Sequence, residues 1–315
     1  MRRRLLVALL LVVALAIPAL QLRAQSPDIW TDDLSTGTPD ALTGAGTLIL
    51  ADSALSAPSY MGQWSRAGTY LSAVHPYEKP VGAVILDTDT TVPEGAAVRL
   101  DVRGQNADGN WQLWNEAPRG QRVVFELPVT AVQYRLALLS NGATPAARSV
   151  TVNAEWSTDN YGMLEARKAP TYRIHATREG LVGRRTANGH VITKRDRFVA
   201  LPSWRSLSSQ GGYEYKVRLS YKGRSVVVPV WDVGPWNTHD DYWSANRQMW
   251  KDLDRGVPEA MAANLWGYNG GRDEFGRKPN LPNGIDIADG TFWDDLGMKD
   301  WDWVDVTFLW EGYDP

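Results

Sequence analysis

No cysteine occurs among the 315 residues. That absence excludes disulfides, thiolate zinc sites, thiol catalysis and a lipid-modified N-terminal cysteine, and it leaves core packing alone to hold the fold. Basic charge is also short. Removing residues 1–24, read below as a signal, takes four Arg and no acid from totals of 33 and 36, leaving 29 basic against 36 acidic side chains and a net charge of −7. A chain of that balance is a poor partner for nucleic acid, whose binding depends on counterion release by Lys and Arg. Phenylalanine, at 5, is scarce beside 15 Trp and 12 Tyr. The aromatics in excess are the two with a polar edge, which outside the cell commonly form flat platforms for sugar rings. Taken singly most are expected to be core residues; the aggregate is the signal.

What is present begins with "MRRRLLVALLLVVALAIPALQLRAQS". A basic start (Arg2, Arg3, Arg4), an apolar stretch from Leu5 to about Leu20 broken by Pro18, and small residues near Ala24 read as a secretory signal over residues 1–24, with an uncleaved anchor as the alternative. The expected location is secreted or cell-wall, with no other membrane segment. At this length two domains are the default. Residues 25–46 read as a loose segment rich in Asp, Thr, Gly, Pro and Ser. From 47 to 156 short alternating or β-branched runs such as "GAVILDTD", "AAVRLDVRG" and "VQYRLALLS" are separated by turn signals. They predict a jelly-roll-like β-sandwich accessory domain. Residues 157–170 read as a linker. The remainder, 171–315, is again mainly β, with helical material expected from Trp243 to about Arg255, from Pro258 to near Trp266, and over about Thr291 to Leu296.

Three pieces of this second half carry a resemblance. They are Thr186-Ala187-Asn188-Gly189, then Asp232-Val233-Gly234-Pro235 at the end of an apolar strand, then Ile285-Asp286-Ile287-Ala288 leading to Leu296-Gly297-Met298. In that order and strand context they resemble the double-psi β-barrel domain of the rare lipoprotein A family of peptidoglycan lytic transglycosylases, and more distantly the first domain of expansins. The resemblance implies a six-stranded barrel with a surface groove, in which Asp286 is the central acid, Asp232 its neighbour, and Thr177 a further residue of the glycan cleft.

The residues themselves agree. Asp286 alternates with Ile285 and Ile287, so it points away from the core that they enter. A carboxylate in a groove walled by Trp is partly desolvated, and a second acid nearby raises its pKa further, toward the range useful to a general acid. Hydrolysis of a glycosidic bond wants two carboxylates, whereas a lytic transglycosylase uses a hydroxyl of the sugar as its nucleophile. An Asp before Gly-Pro equally often only ties a turn through backbone N–H bonds.

His190 is expected as a groove contact, and Trp204, Trp231, Trp236, Trp243 and Trp293 as candidate sugar platforms. The sequence departs from the cleaving members of the family at two positions. Where they carry Glu after the turn stands His190, and where they carry His stands Phe198. The readings left open are a peptidoglycan lytic transglycosylase, a non-catalytic glycan-binding or expansin-like wall-loosening protein, and a purely structural module. His190, His239, Asp240 and Asp241 have zinc-ligand chemistry but no ligand-motif spacing, so a solvated loop, no metal and no cofactor are expected. In the first half "RGQNADGNW" looks like a hairpin of β-sandwich modules attached to secreted carbohydrate-active proteins; Trp111 and Trp114 either present a sugar platform or pin that hairpin.

Overall fold

The computed structural model describes residues 28–58, 61–158, 168–312 and 314. The signal read in residues 1–24, and 159–167 of the expected linker, lie outside the described residues.

Two β assemblies follow one another. The first comprises β1 (Asp28–Asp32), β2 (Thr38–Asp40), β3 (Leu42–Thr43), β4 (Leu48–Leu50), β5 (Arg66–Leu71), β6 (His75–Thr91), β7 (Ala96–Gln105), β8 (Asn115–Glu116), β9 (Arg122–Ser140) and β10 (Ala146–Trp156). They form one ten-stranded sheet in the order β2-β5-β9-β6-β10-β4-β3, with β7 also on β9, β8 on β7 and β1 on β10. Period-two patterning builds it: Val150, Val152 and Ala154 of β10 are fully buried, and the residues between them face outward. Strand β9 pairs with β6 through its first part and with both β5 and β7 through its last, and register shifts bend β6, so the sheet curls over its own inner face. The segment expected to be loose contributes three of these strands: β1 pairs with β10, β2 with β5 and β3 with β4.

The second assembly is a closed barrel of β11 (Thr171–Arg178), β12 (Val199–Leu201), β13 (Lys216–Tyr221), β14 (Arg224–Val233), β15 (Asn283–Ile287) and β16 (Asp302–Phe308), in the order β11-β15-β12-β14-β13-β16. The pairs β11/β15 and β12/β14 are parallel, and the other paired strands run antiparallel. Ile174, Ala176, Val228, Val230, Ile285, Ile287, Val304 and Val306 fill the interior.

The insertion between β14 and β15 departs from expectation. Residues 243–255 form successive turns rather than a helix. Trp243 is fully buried, with its ring stacked 4.9 Å from that of Phe308. Asp241 accepts the Gln248 N–H at 2.6 Å. Side-chain bonds to the backbone thereby replace the helical ladder. The next expected helix is present as α1 (Glu259–Trp266), ended by Gly267 in the left-handed region at φ 70°. Asp240 closes this insertion, bound to Arg247 at 2.5 Å and to the Glu259 N–H at 2.7 Å. The last short helix is a π-helical turn, Gly290–Asp295.

Sheet and barrel share one core, in which Met61, Ala67 and Leu139 join Leu207, Tyr215 and the barrel interior. Trp111 and Trp114 are buried in it and are not sugar platforms. The Arg103 guanidinium lies 4.3 Å from the Trp111 ring and 4.4 Å from the Trp114 ring, and it reaches across to Glu214 of the barrel at 2.8 Å. Among the described residues no helix is long and apolar enough to cross a membrane.

Candidate functional site

Strand register places the expected acids on one row. Thr177 of β11 pairs with Asp286 of β15, Asp286 with Ala200 of β12, and Ala200 with Asp232 of β14. Directly opposed residues of neighbouring strands project from the same face, so Thr177, Asp286, Ala200 and Asp232 form a line across four strands on the outside of the barrel. Ile285 and Ile287, flanking Asp286, are fully buried. Two interstrand spacings separate the Asp286 and Asp232 backbones, roughly 9.6 Å, with only the Ala200 methyl between them. Each parallel pair shifts register just before its acid, by Gly284 ahead of Asp286 and by Trp231 ahead of Asp232. Such bulges re-aim the side chain that follows.

Donors are distributed unevenly over the row. The Thr177 hydroxyl donates to Asp286 Oδ1, and the Asn283 side-chain amide donates to the same oxygen at 3.1 Å. Asn283 is itself oriented by the Trp236 indole N–H, which donates to its Oδ1 at 2.7 Å. Asp232 Oδ1 accepts the N–H of Ala187 and its neighbour Val233, each at 2.8 Å. Asp232 thus does tie a turn: it fastens the Thr186–Gly189 turn to the end of β14.

A third carboxyl belongs to this site and was missed by motif reasoning. Glu179 follows Thr177 by two residues, so it leaves the chain on the same side, and its N–H donates to Ile287 O at 2.9 Å, extending the β11/β15 seam. Arg178 between them pairs instead with Asp289 at 2.8 Å. No Arg, Lys or His among the described residues forms an ion pair with Glu179, Asp232 or Asp286. Burial, reinforced by the charges of Asp286, Asp232 and Asp289, pushes Glu179 up to about 9. Burial pushes Asp232 up to about 6 against its two backbone N–H bonds. Burial also raises Asp286, opposed by the bonds from Thr177 and Asn283. Three acids with no counter-charge therefore share fewer than three negative charges at neutral pH. The signal that could have found Glu179 was the same alternation that marked Asp286.

Beside Asp232 opens a cavity of about 720 Å³ between sheet and barrel, lined among others by Thr69 and Arg135 of the sheet and by Ala187, Asn188, Ser209 and Asp232 of the barrel. Arg185 and Asp40, paired at 2.7 Å, join the two assemblies at this cavity. Its size and position between two units are those of ligand pockets.

The other expected contacts divide. Trp236 borders the row through Asn283. Trp231 lies next to Asp232, half-buried, its ring packed against Phe198 at 5.8 Å and His190 at 4.8 Å. His190 faces Asp196, Nε2 to Oδ2 at 2.6 Å, and its side chain is partly exposed. Hydrogen bonds from Thr193 and His190 outweigh burial and hold the Asp196 carboxyl low. Trp204 and Trp243, 1 % and 0 % exposed, are core residues and offer no face to a sugar; that expectation is corrected by the shared core, which covers both rings. Trp293 is also occupied, with the guanidinium groups of Arg178 and Arg195 each 4.7 Å from its ring. His239 pairs with Glu274 at 2.6 Å and Asp241 with Arg205 at 2.8 Å, so the zinc-like set does not converge. Among the described residues no three His, Asp or Glu are grouped to hold a metal.

Comparison with known proteins gives one match to a family model, over less than half of the chain. A family model described as "Domain of unknown function (DUF8814)" matches residues 170–307, the stretch that forms the barrel. No curated protein matches. Among solved structures, the chain is similar to the enzymatically active domain of bacteriophage CBA120 tailspike protein 4 at 10 % identity and a TM-score of 0.24, covering 42 % of this chain and 20 % of that one. It is similar to infectious bursal disease virus, Gt strain, at 11 % identity and a TM-score of 0.18, covering 45 % and 36 %. The chain thus spans a fifth to about a third of the length of these structures, and likenesses this slight carry no argument.

Proposed function

We propose that this chain is a secreted cell-envelope protein that takes a polysaccharide, peptidoglycan by the resemblance, across the outer face of a double-psi β-barrel and cleaves it as a lytic transglycosylase does. The ten-stranded sheet, of β-sandwich type in this reading, is an accessory unit that walls one side of the cleft. One observation carries the proposal: Asp286, Asp232 and Glu179 stand together on the barrel surface without a cation. Elsewhere in the chain the buried carboxylates Asp101, Asp240 and Asp241 are paired with Arg135, Arg247 and Arg205. Uncompensated acids with raised pKa values are the equipment of proton transfer. Two parallel strand pairs within a six-stranded barrel support the double-psi assignment. The Thr177–Asp286–Asn283–Trp236 chain of hydrogen bonds fixes the central acid and ends on an aromatic ring beside the row.

A second reading has its own observation. His190 and Phe198 replace the family's Glu and His, and His190 is held by Asp196. In that reading the same face binds glycan and loosens the wall without breaking a bond.

Product analysis separates the two. The protein is incubated with purified peptidoglycan, and with glycan stripped of its stem peptides, and the soluble fraction is read by mass spectrometry. Anhydro-sugar ends that disappear with Asp286→Asn support cleavage. Retention on the glycan without any product supports the binding reading. No retention on either glycan overturns both.

A further inference from the structure

We propose that Glu179 is the proton donor of this site. The inference rests on the cleavage reading above and assigns a role to a residue that none of the three motifs contains.

The distribution of hydrogen-bond donors decides which of the three acids keeps a proton. A donor stabilises the ionised form of the carboxylate it points to. Asp286 receives two, from Thr177 and Asn283, and Asp232 receives two backbone N–H groups. The Glu179 carboxyl receives none from the described residues. The nearest cation on its own strand, Arg178, is directed to Asp289. Glu179 is faced by Asp286 of β15, by Asp232 of β14, and by Asp289 of the turn after β15, which Arg178 compensates. Of these three acids without an ion pair, two are supplied with donors and one with none, and the last is the one that keeps its proton. Its raised pKa agrees with this order.

Geometry excludes the alternatives. Phe198 has no proton and is fully buried. His190 is paired with Asp196, and its ring packs on Trp231 and Phe198. Asp289 is already salt-bridged to Arg178.

The step balances without water or cofactor. The Glu179 O–H proton passes to the glycosidic oxygen as the bond from that oxygen to the anomeric carbon breaks. A hydroxyl of the same sugar closes onto the anomeric carbon, and its proton passes to the Asp232 carboxylate. Ionised Asp286, held by Thr177 and Asn283, faces the positive charge that develops between these events. Net, one carbon–oxygen bond breaks and one forms, and the proton on Asp232 returns to Glu179 before the next turnover.

Three arms test it on the full chain. Infrared difference spectra at pH 8.5, above the values to which burial raises Asp232, Asp240 and Glu259, read the protonated-carboxyl stretch in the wild type, Glu179→Gln and Asp232→Asn; the band is expected to vanish only with Glu179→Gln. Rates of anhydro-product release from stripped peptidoglycan are compared over pH 5–9. General acids contribute about 10²–10⁴-fold, so Glu179→Gln is expected to lose about that factor while keeping glycan retention, and the wild-type rate is expected to fall toward alkaline pH. Thermal melts confirm that each variant is folded. A band that survives in Glu179→Gln, or a variant rate and pH profile equal to the wild type, overturns the assignment and leaves cleavage standing. A wild type that releases no product overturns the cleavage reading and the donor role together.

Discussion

The protonation of Glu179 has a consequence for stability that needs no substrate. A carboxyl whose folded pKa lies above its unfolded value keeps a proton in the native state that the unfolded chain releases. Its contribution to stability is complete below the ordinary Glu value of 4.5 and is lost as pH rises toward the folded value of about 9. Asp232, pushed up to about 6, and Asp240 and Glu259, each pushed up by burial to about 7, act in the same direction but are largely spent by pH 7.5. Of these four, Glu179 is the carboxyl that still differs between folded and unfolded chains from pH 7.5 to 8.5. One differential proton corresponds to about 1.4 kcal/mol per pH unit. At roughly 2–4 °C per kcal/mol for a domain of this size, the wild-type melting temperature should fall by ~3–5 °C across that unit. Glu179→Gln should flatten the fall. Calorimetry at half-unit steps provides the reading, and an equal slope in both proteins would refute the argument that Glu179 is held neutral.

Other outcomes follow from named contacts. Arg103→Met strips the partner from Glu214 and one cation from two indole rings, and breaking such a buried pair costs about 3–5 kcal/mol, readable as a lowered urea midpoint. Trp243→Ala should cost about 3–5 kcal/mol as a large-to-small core change, while the folded fraction retains wild-type affinity for glycan in a pull-down. Trp236→Phe should do the opposite, lowering glycan retention through the lost N–H bond to Asn283, worth about 0.5–1.5 kcal/mol, with little change in melting temperature. Gly284→Ala would place a methyl against Pro258 at the start of α1, and overpacking there should cost about 1–3 kcal/mol, seen by the same melts.

The sequence carried the row but not its depth. Alternation alone placed Asp286 outside the barrel, because Ile285 and Ile287 leave it no other direction. The same alternation applied from Thr177 reaches Glu179, yet its importance arises from two strands distant in sequence, β14 and β15, and from the direction taken by Arg178. The burial of Trp204 and Trp243 was not legible, since the surface that covers them is made only when sheet and barrel meet. Residues 243–255 carry good helix formers, but Asp240 and Asp241 spend their oxygens on Arg247 and the Gln248 N–H, and two adjacent aromatics, Tyr242 and Trp243, are drawn into the core. β1, β2 and β3 were hidden because strands of five, three and two residues have too little period to read, and their partners include β5 and β10, far along the chain.

The central claim is that the row from Thr177 to Asp232 is where a glycan lies. Two-dimensional NMR of the protein titrated with a peptidoglycan tetrasaccharide tests it most directly. The account predicts that the Trp236 indole N–H, the Asn283 side-chain amide and the Ala200 backbone amide shift together, while the indole N–H signals of Trp204 and Trp243 stay in place. Saturable shifts confined to other surfaces, or none at millimolar ligand, would contradict it.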